Sequence, residues 1–168
     1  MFSIIKLIPD DLIDDLLVYG DTSRQYKVGV MNNGENTYNP SLRSTTGIRI
    51  NPKLFTEVNE LLETYIDDDS VVNQFDFLIY HKGDFFRRHV DTFSEPHLKD
   101  ARVWTTITML ERSEDLEGGG LIVGDSDPIH LKNGETIIFK SNLEHEALEV
   151  LQGTRKVLVA WLGMYKYD

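Results

Sequence analysis

His89 and Asp91 stand two residues apart in the stretch "FFRRHVDTF", Phe85 to Phe93. In an extended strand alternate residues share a face, so the imidazole and the carboxylate point one way while Arg88 and Val90 point the other. Such a pair is either a hydrogen-bonded surface couple or two thirds of a metal site. A 2-His-1-carboxylate triad needs a second histidine from a strand lying beside the first. The chain has five histidines: His81, His89, His97, His130 and His145. His145 opens a late apolar segment and qualifies by position. His81 adjoins Tyr80 on the opposite side of its strand, His97 falls in a polar loop and His130 follows a turn, so none of these three is given a role.

Past a turn at Gly153, Arg155 opens the last apolar segment. That order places a guanidinium one strand away from the metal, in the same cavity. Arginine is the side chain best suited to grip a carboxylate by two parallel hydrogen bonds. A ligand that chelates the metal at one end and carries a carboxylate at the other would span the gap, and 2-oxoglutarate is such a ligand. Lys156 competes for the role, but adjacent strand residues face opposite ways, and the inward series Arg155, Val157, Val159 and Trp161 selects Arg155. Each part alone has an ordinary reading: a lone strand histidine is more often structural than a ligand, and an isolated arginine reads as a surface residue. The weight lies in the joint pattern, because only one His-x-Asp occurs in the chain and the histidine and arginine follow it in order.

The elements that must position these residues follow from the spacing of apolar side chains. Residues 3–8 read as a short strand. Pro9 to Val18 reads as a helix, with acids in its first turn and Leu12, Ile13, Leu16 and Leu17 at helical spacing. "QYKVGVM" and "TTGIRI" read as strands. Asn51 caps a second helix running from Pro52 to about Ile66, whose predicted buried stripe is Leu54, Phe55, Val58, Leu61, Leu62 and Tyr65. From Asn73 onward only strands are expected: "QFDFLIYH", "FFRRHVD", "RVWTTITML", "GGLIVG", "PIHLK", "ETIIFK", "HEALEV" and "RKVLVAWLG". About eight strands after two helices imply a mainly β fold, α+β by content. Its core is a double-stranded β-helix, or jelly roll, with two N-terminal supporting helices. The whole chain, 1–168, reads as one domain, with 1–72 supplying the helical buttress and first strands and 73–168 the jelly-roll core with the metal site.

Composition narrows the chemistry. There is no cysteine, so disulfides, thiolate metal sites and a cysteine nucleophile are excluded; an intracellular, cytoplasmic setting is the default expectation. The formal net charge of -11 makes a nucleic-acid substrate unexpected, since phosphate backbones are bound by Lys and Arg. Apolar runs such as "VLVAWLGM" are too short to span a bilayer. The opening "MFSIIKLIPDD" meets Pro9 and two aspartates where a signal peptide would continue apolar.

From about Phe75 to Gly163 the chain resembles the prolyl 4-hydroxylase-like branch of the iron(II)- and 2-oxoglutarate-dependent dioxygenases. Tyr80, Gly83, Phe86, His89 and Asp91 match the spacing Y-x-x-G-x-x-F-x-x-H-x-D. Arg102 then opens "RVWTTITML", and "EGGGLIV", "NGETIIF" and "HEALEVLQGTRKVLVAW" follow. The resemblance implies that His89, Asp91 and His145 ligate iron and that Arg155 binds the distal carboxylate of 2-oxoglutarate. It also implies that Tyr80 hydrogen-bonds this co-substrate and that Trp161 walls the cavity near the metal. For Tyr80 and Trp161, plain core packing stands as the alternative. A tyrosine frequent in the family on the "TTITML" strand is replaced here by Met109; Thr105 shares that face and is the candidate for supplying a hydroxyl instead. Asp91 counts against a halogenase, which would leave that position open for chloride.

The cofactors so implied are Fe(II), 2-oxoglutarate and O2, with ascorbate as a further candidate. The implied reaction is hydroxylation of a peptidyl proline or another protein or peptide residue. A free amino acid or other small metabolite is the alternative substrate, and a non-catalytic jelly-roll metal-binding module is the alternative outside enzymes. The loop Thr92 to Ala101, directly after Asp91, is a candidate lid. Oligomeric state is not read from the sequence.

Overall fold

The computed structural model describes residues 1–32 and 35–164. Strand β1 (Phe2–Ile5) and helix α1 (Asp10–Asp21) come first. The short strands β2 (Tyr26–Lys27), β3 (Val30–Asn32), β4 (Glu35–Thr37) and β5 (Arg43–Ser44) precede β6 (Thr46–Ile50). A 3-10 turn at Pro52–Phe55 leads into α2 (Thr56–Ile66). The strands β7 (Val71–Tyr80), β8 (Phe85–His89), β9 (Trp104–Arg112), β10 (Glu117–Gly118) and β11 (Leu121–Val123) follow. The last are β12 (Thr136–Lys140), β13 (His145–Ala147), β14 (Val150–Gln152) and β15 (Arg155–Gly163).

Two antiparallel sheets make the jelly roll. The larger runs β1-β12-β9-β15-β7-β6-β2, and the smaller β11-β13-β8-β5. β15 lies between β7 and β9, with Arg155 opposite Tyr80 and Trp161 opposite Thr105. The expected mainly β architecture with two supporting helices is what the structure shows. Strands β2, β5 and β6, from the first 72 residues, extend both sheets.

The helices explain why β7 and β15 are apolar on both faces. Phe75, Phe77 and Ile79 of β7 join Leu158, Ala160 and Leu162 of β15 in one buried cluster with Leu16 of α1 and Val58 and Leu62 of α2. The alternate residues Gln74, Asp76, Leu78 and Tyr80 face the other way, into a cavity between the sheets. A second buried cluster, including Leu78, Ile107, Val123, Phe139 and Val157, holds the two sheets together.

α1 begins at Asp10 because Pro9, in an extended conformation, offers its carbonyl to the Leu12 and Ile13 N–H groups. Asp10 and Asp11 suit the positive end of the helix. It runs past the expected end at Val18, and hydroxyls of Thr22 and Ser23 then take up the Val18 and Tyr19 carbonyls. Before α2, the Asn51 side chain accepts from the Lys53 N–H at 3.0 Å, as expected of a cap. The predicted stripe is corrected: Val58 and Leu62 are fully buried, but Leu54, in the 3-10 turn and out of helical phase, is 57% exposed, and Tyr65, in the last turn of α2, is 41% exposed.

Three strand expectations are also corrected. "QYKVGVM" divides into β2 and β3, and "HEALEV" into β13 and the start of β14. "PIHLK" forms no strand: Pro128 lacks an N–H, and only Ile129 pairs, exchanging hydrogen bonds with Leu121.

Candidate metal centre

β8 and β13 lie side by side with His89 opposite His145. The register slips between there and the Phe86–Ala147 pair, a bulge that turns both Phe86 and His89 toward the cavity despite their odd spacing. Asp91 lies just past the end of β8, where its N–H donates to the Ser141 carbonyl at 2.9 Å. One ligand atom from each of His89, Asp91 and His145 falls within 4.8 Å of the others. His89 Nε2 is 3.2 Å from one Asp91 carboxylate oxygen, and His145 Nε2 is 3.3 Å from the other.

Each imidazole is oriented from behind. The Nδ1 of His89 is 2.7 Å from the Arg87 carbonyl, and that of His145 is 2.8 Å from the Leu143 carbonyl. A carbonyl only accepts, so both Nδ1 atoms carry a proton; Nε2–H donates to Asp91 in the protonated ring, and loss of that proton to a metal would turn both Nε2 lone pairs to the shared point. Phe86 stacks on His89 at 3.6 Å, and Phe139 meets His145 edge-on at 4.8 Å. Asp91 is braced as well: Thr105 Oγ1 donates to its Oδ2 at 2.8 Å and Trp161 Nε1 to the same oxygen at 3.0 Å.

Electrostatics follow from this arrangement. Burial alone would raise the Asp91 pKa, but hydrogen bonds and charge from His145 and His89 outweigh it and hold the carboxyl well below its usual range. Burial presses the His145 pKa down, yet the Asp91 hydrogen bond and charge raise it on balance. The carboxylate is therefore ionised and ready to ligate. Two imidazole nitrogens and a carboxylate oxygen on one side of a point are the donor set that suits a ferrous ion with open positions.

Arg155 lies across the same cavity, on the opposite sheet and not on the strand next to His145. The cavity holds about 620 Å³, and both the triad and Arg155 line it. Arg155 is 1% exposed, and its guanidinium lies 4.1 Å over the Tyr80 ring. Its Nε has no hydrogen-bond partner, and no carboxylate pairs with it among the described residues. Burial lowers its pKa. A buried guanidinium facing a cavity without a counter-ion is a place for a carboxylate ligand. A Cβ added at Gly119, which sits at φ +68, would lie 3.4 Å from Arg155 Cδ, so a glycine there lets the backbone pass close to the arginine stem.

The sequence candidates thus converge: His89, Asp91 and His145 at one point, Arg155 and Tyr80 at the far end of the cavity, and Val157, Val159 and Trp161 along the wall. Lys156 points the other way, to Asp21 and Glu111 at 2.9 and 3.3 Å. The Thr105 hydroxyl donates to Asp91 Oδ2 at 2.8 Å and lies 2.9 Å from Ser141 Oγ, while Met109, nearer the Arg155 end, is buried without a polar partner. Trp161 donates a hydrogen bond to Asp91 as well as walling the site. Sequence reasoning missed Ser141 and gave Arg102 no role, although Arg102 reaches the Asp91 carbonyl at 3.4 Å and Gln74 at 3.2 Å. An arginine directly ahead of a long apolar strand was the available signal.

Residues 75–163 match the family model of the 2OG-Fe(II) oxygenase superfamily. The chain belongs to that superfamily. Its members use Fe(II), 2-oxoglutarate and O2, and the His89, Asp91 and His145 cluster fits the iron. A PKHD-type hydroxylase of Prochlorococcus marinus strain NATL2A is 33% identical over 87 residues, 49% of this chain and 38% of that one, so the chain spans well under half of this curated relative. Among solved structures, a Pseudomonas putida prolyl-4-hydroxylase superposes with a TM-score of 0.70 at 19% identity, covering 99% of this chain and 93% of the other. A Trichoplax adhaerens prolyl hydroxylase, bound to a peptide of a hypoxia inducible factor degradation domain, gives 0.70 at 15% identity, over 96% and 83%. Both likenesses are of fold. No helix among the described residues is long and apolar enough to cross a membrane.

Proposed function

We propose that this chain is an Fe(II)- and 2-oxoglutarate-dependent hydroxylase of the prolyl 4-hydroxylase type, acting on a residue of a protein or peptide. The observation that carries the reading is one cavity holding the three ligand atoms at one end and the unpaired, buried Arg155 at the other. When bound, the iron supplies the oxidising centre at which O2 and 2-oxoglutarate are converted to succinate and carbon dioxide and a substrate C–H becomes C–OH.

The protein's own part is positioning. His89 and His145 present Nε2 because the backbone carbonyls of Arg87 and Leu143 hold their Nδ1 protons. Thr105 and Trp161 fix the Asp91 carboxylate, leaving its charge in a dry setting where it binds a cation strongly. Arg155 takes the distal carboxylate of 2-oxoglutarate, with the Tyr80 phenol as the hydroxyl at that end. Val157, Val159 and Leu78 keep the space between apolar. Residues 92–101, with a 3-10 turn at Pro96–Leu98, follow Asp91 directly and serve as the lid. A reducing cytoplasm suits a cysteine-free chain that needs ferrous iron, and ascorbate would keep the metal in that state.

A peptide substrate is favoured over a free metabolite by a cavity of about 620 Å³ whose lining extends to Val30, Asn36 and Arg43 on one side and Thr92, Phe93 and Leu98 on the other. Incubation with Fe(II), ascorbate and 2-oxoglutarate under air tests the reading. Succinate should form, and should disappear in His89→Ala. A protein that binds no 2-oxoglutarate and forms no succinate is a binding module, and the proposal fails.

A further inference from the structure

Six of the arginines line the one cavity: Arg43, Arg49, Arg87, Arg88, Arg102 and Arg155. Only Arg24 and Arg112 lie elsewhere. Among the described acidic residues, Asp76 and Asp91 alone reach it. A chain of net charge -11 therefore turns a positive wall toward its own active site.

Three of the six have an assigned counterpart. Arg155 faces the co-substrate. Arg49 Nε is 3.2 Å from Asp76, and Arg88 Nε is 2.6 Å from Glu144. Arg43, Arg87 and Arg102 have no carboxylate partner among the described residues. Arg43 is the most telling. It is 8% exposed, its Nη1 donates to the Gly29 carbonyl at 3.1 Å, and its Nε has no partner at all. Its guanidinium lies 4.3 Å over the Phe86 ring, whose other face stacks on His89 at 3.6 Å. Arg43 is thus two stacked layers from a metal ligand. Arg102 stacks on Trp161 at 3.9 Å and leaves a buried Nε unpartnered, while Arg87, exposed, lies 4.7 Å over Phe85. Burying a cation without an anion is costly, and buried Arg43 with half-buried Arg102 beside a reaction centre is explained if the anion arrives with the substrate.

We propose that the primary substrate is itself anionic, and that a carboxylate beside the hydroxylated atom is held by Arg43, with Arg102 and Arg87 completing the cradle. The planar guanidinium fork matches a carboxylate, and an aromatic ring behind it keeps the fork oriented. The carboxylate belongs to an Asp or Glu flanking the target residue in a peptide, or to a free amino acid or related organic acid. This inference rests on the hydroxylase reading.

The test uses protein loaded with Zn(II) and 2-oxoglutarate, which fills the site without turnover. Fluorescence anisotropy compares labelled proline-containing peptides with flanking Glu and with flanking Gln; competition compares free L-glutamate with L-glutamine. In at least one pair the acid is expected to bind about ten- to a hundredfold tighter than its amide. The difference should shrink with added salt, vanish in Arg43→Gln and in the Arg43→Gln, Arg87→Gln double variant, and persist in Arg112→Gln. Discrimination in the peptide pair identifies a peptide carboxylate, and discrimination in the amino-acid pair a small one. Equal binding of acid and amide in both pairs, no binding in either, or a preference that survives the double variant overturns the proposal. Arg43→Lys, which keeps the charge, guards against a folding defect: it should retain part of the preference, and complete loss with an unchanged melting curve shows that the fork matters. With ascorbate supplying the two electrons that substrate otherwise would, succinate release by the Fe(II)-loaded protein under 2-oxoglutarate and air needs no primary substrate, so its absence defeats the hydroxylase reading separately.

Discussion

Arg155 and Tyr80 are register partners on β15 and β7, and the guanidinium lies 4.1 Å over the phenol ring. The ring gives a buried cation a favourable face while leaving its hydrogen-bond fork open to the cavity. A carboxylate entering the cavity meets a guanidinium already oriented by the ring. Arg155→Ala is expected to raise the 2-oxoglutarate concentration for half-maximal turnover about ten- to a hundredfold, from about 1.5–3 kcal/mol for hydrogen bonds to a charged group. Steady-state succinate assays across a 2-oxoglutarate series check it.

Lys156 provides the matched control. Its amine bridges Asp21 and Glu111 on the outside of the sheet. Lys156→Ala should leave the 2-oxoglutarate requirement unchanged and cost no more than about 1 kcal/mol of stability in urea unfolding. A changed requirement would transfer the anchoring role to Lys156.

Metal binding is expected to depend on the three ligands together. A metal that binds only the folded chain adds about 2.7 kcal/mol of stability at a hundred times its dissociation constant. Zn(II) should therefore raise the melting temperature of the native chain, EDTA should reverse the rise, and His145→Ala or Asp91→Ala should show none.

Thr105 acts through Asp91. Thr105→Val keeps the shape but removes the donor to Asp91 Oδ2. Metal affinity should fall about ten- to a hundredfold, the range for residues that orient a ligand, with little change in the 2-oxoglutarate requirement once metal is saturating. A selective rise in that requirement would restore Thr105 to the co-substrate site.

The helical buttress should matter for stability alone. Phe77, fully buried on the β7 face toward α1, packs directly against Gly20. Phe77→Ala is expected to cost about 3–5 kcal/mol in denaturant unfolding.

The triad could be read from the chain because its information is local. His89 and Asp91 sit two apart, His145 begins its own strand, and the alternation that separates Arg155 from Lys156 needs only a period of two. Other features depend on which segments meet in space. Thr105 on β9 of the larger sheet donates to Asp91, just past β8 of the smaller one, a relation that no spacing along the chain records. Arg155 reaches the metal cavity from the opposite sheet, so the expectation of a neighbouring strand had the right cavity and the wrong route. The exposed Leu54 shows the same limit at short range: a 3-10 turn at Pro52–Phe55 took it out of the phase of a stripe that looked helical throughout. Pro128 announced its own break in "PIHLK", but the strand-like apolar alternation around it outweighed that signal.

The central claim is that His89, Asp91, His145 and Arg155 form one site for iron and 2-oxoglutarate. An anaerobic titration of the Fe(II)-loaded protein with 2-oxoglutarate, followed by visible absorption, tests it most directly, because a keto acid chelating ferrous iron gives a charge-transfer band. A saturable band is expected in the native chain, none in His145→Ala, and in Arg155→Ala the same band at markedly higher 2-oxoglutarate. No band in the native chain, or an undiminished band in His145→Ala, would contradict it.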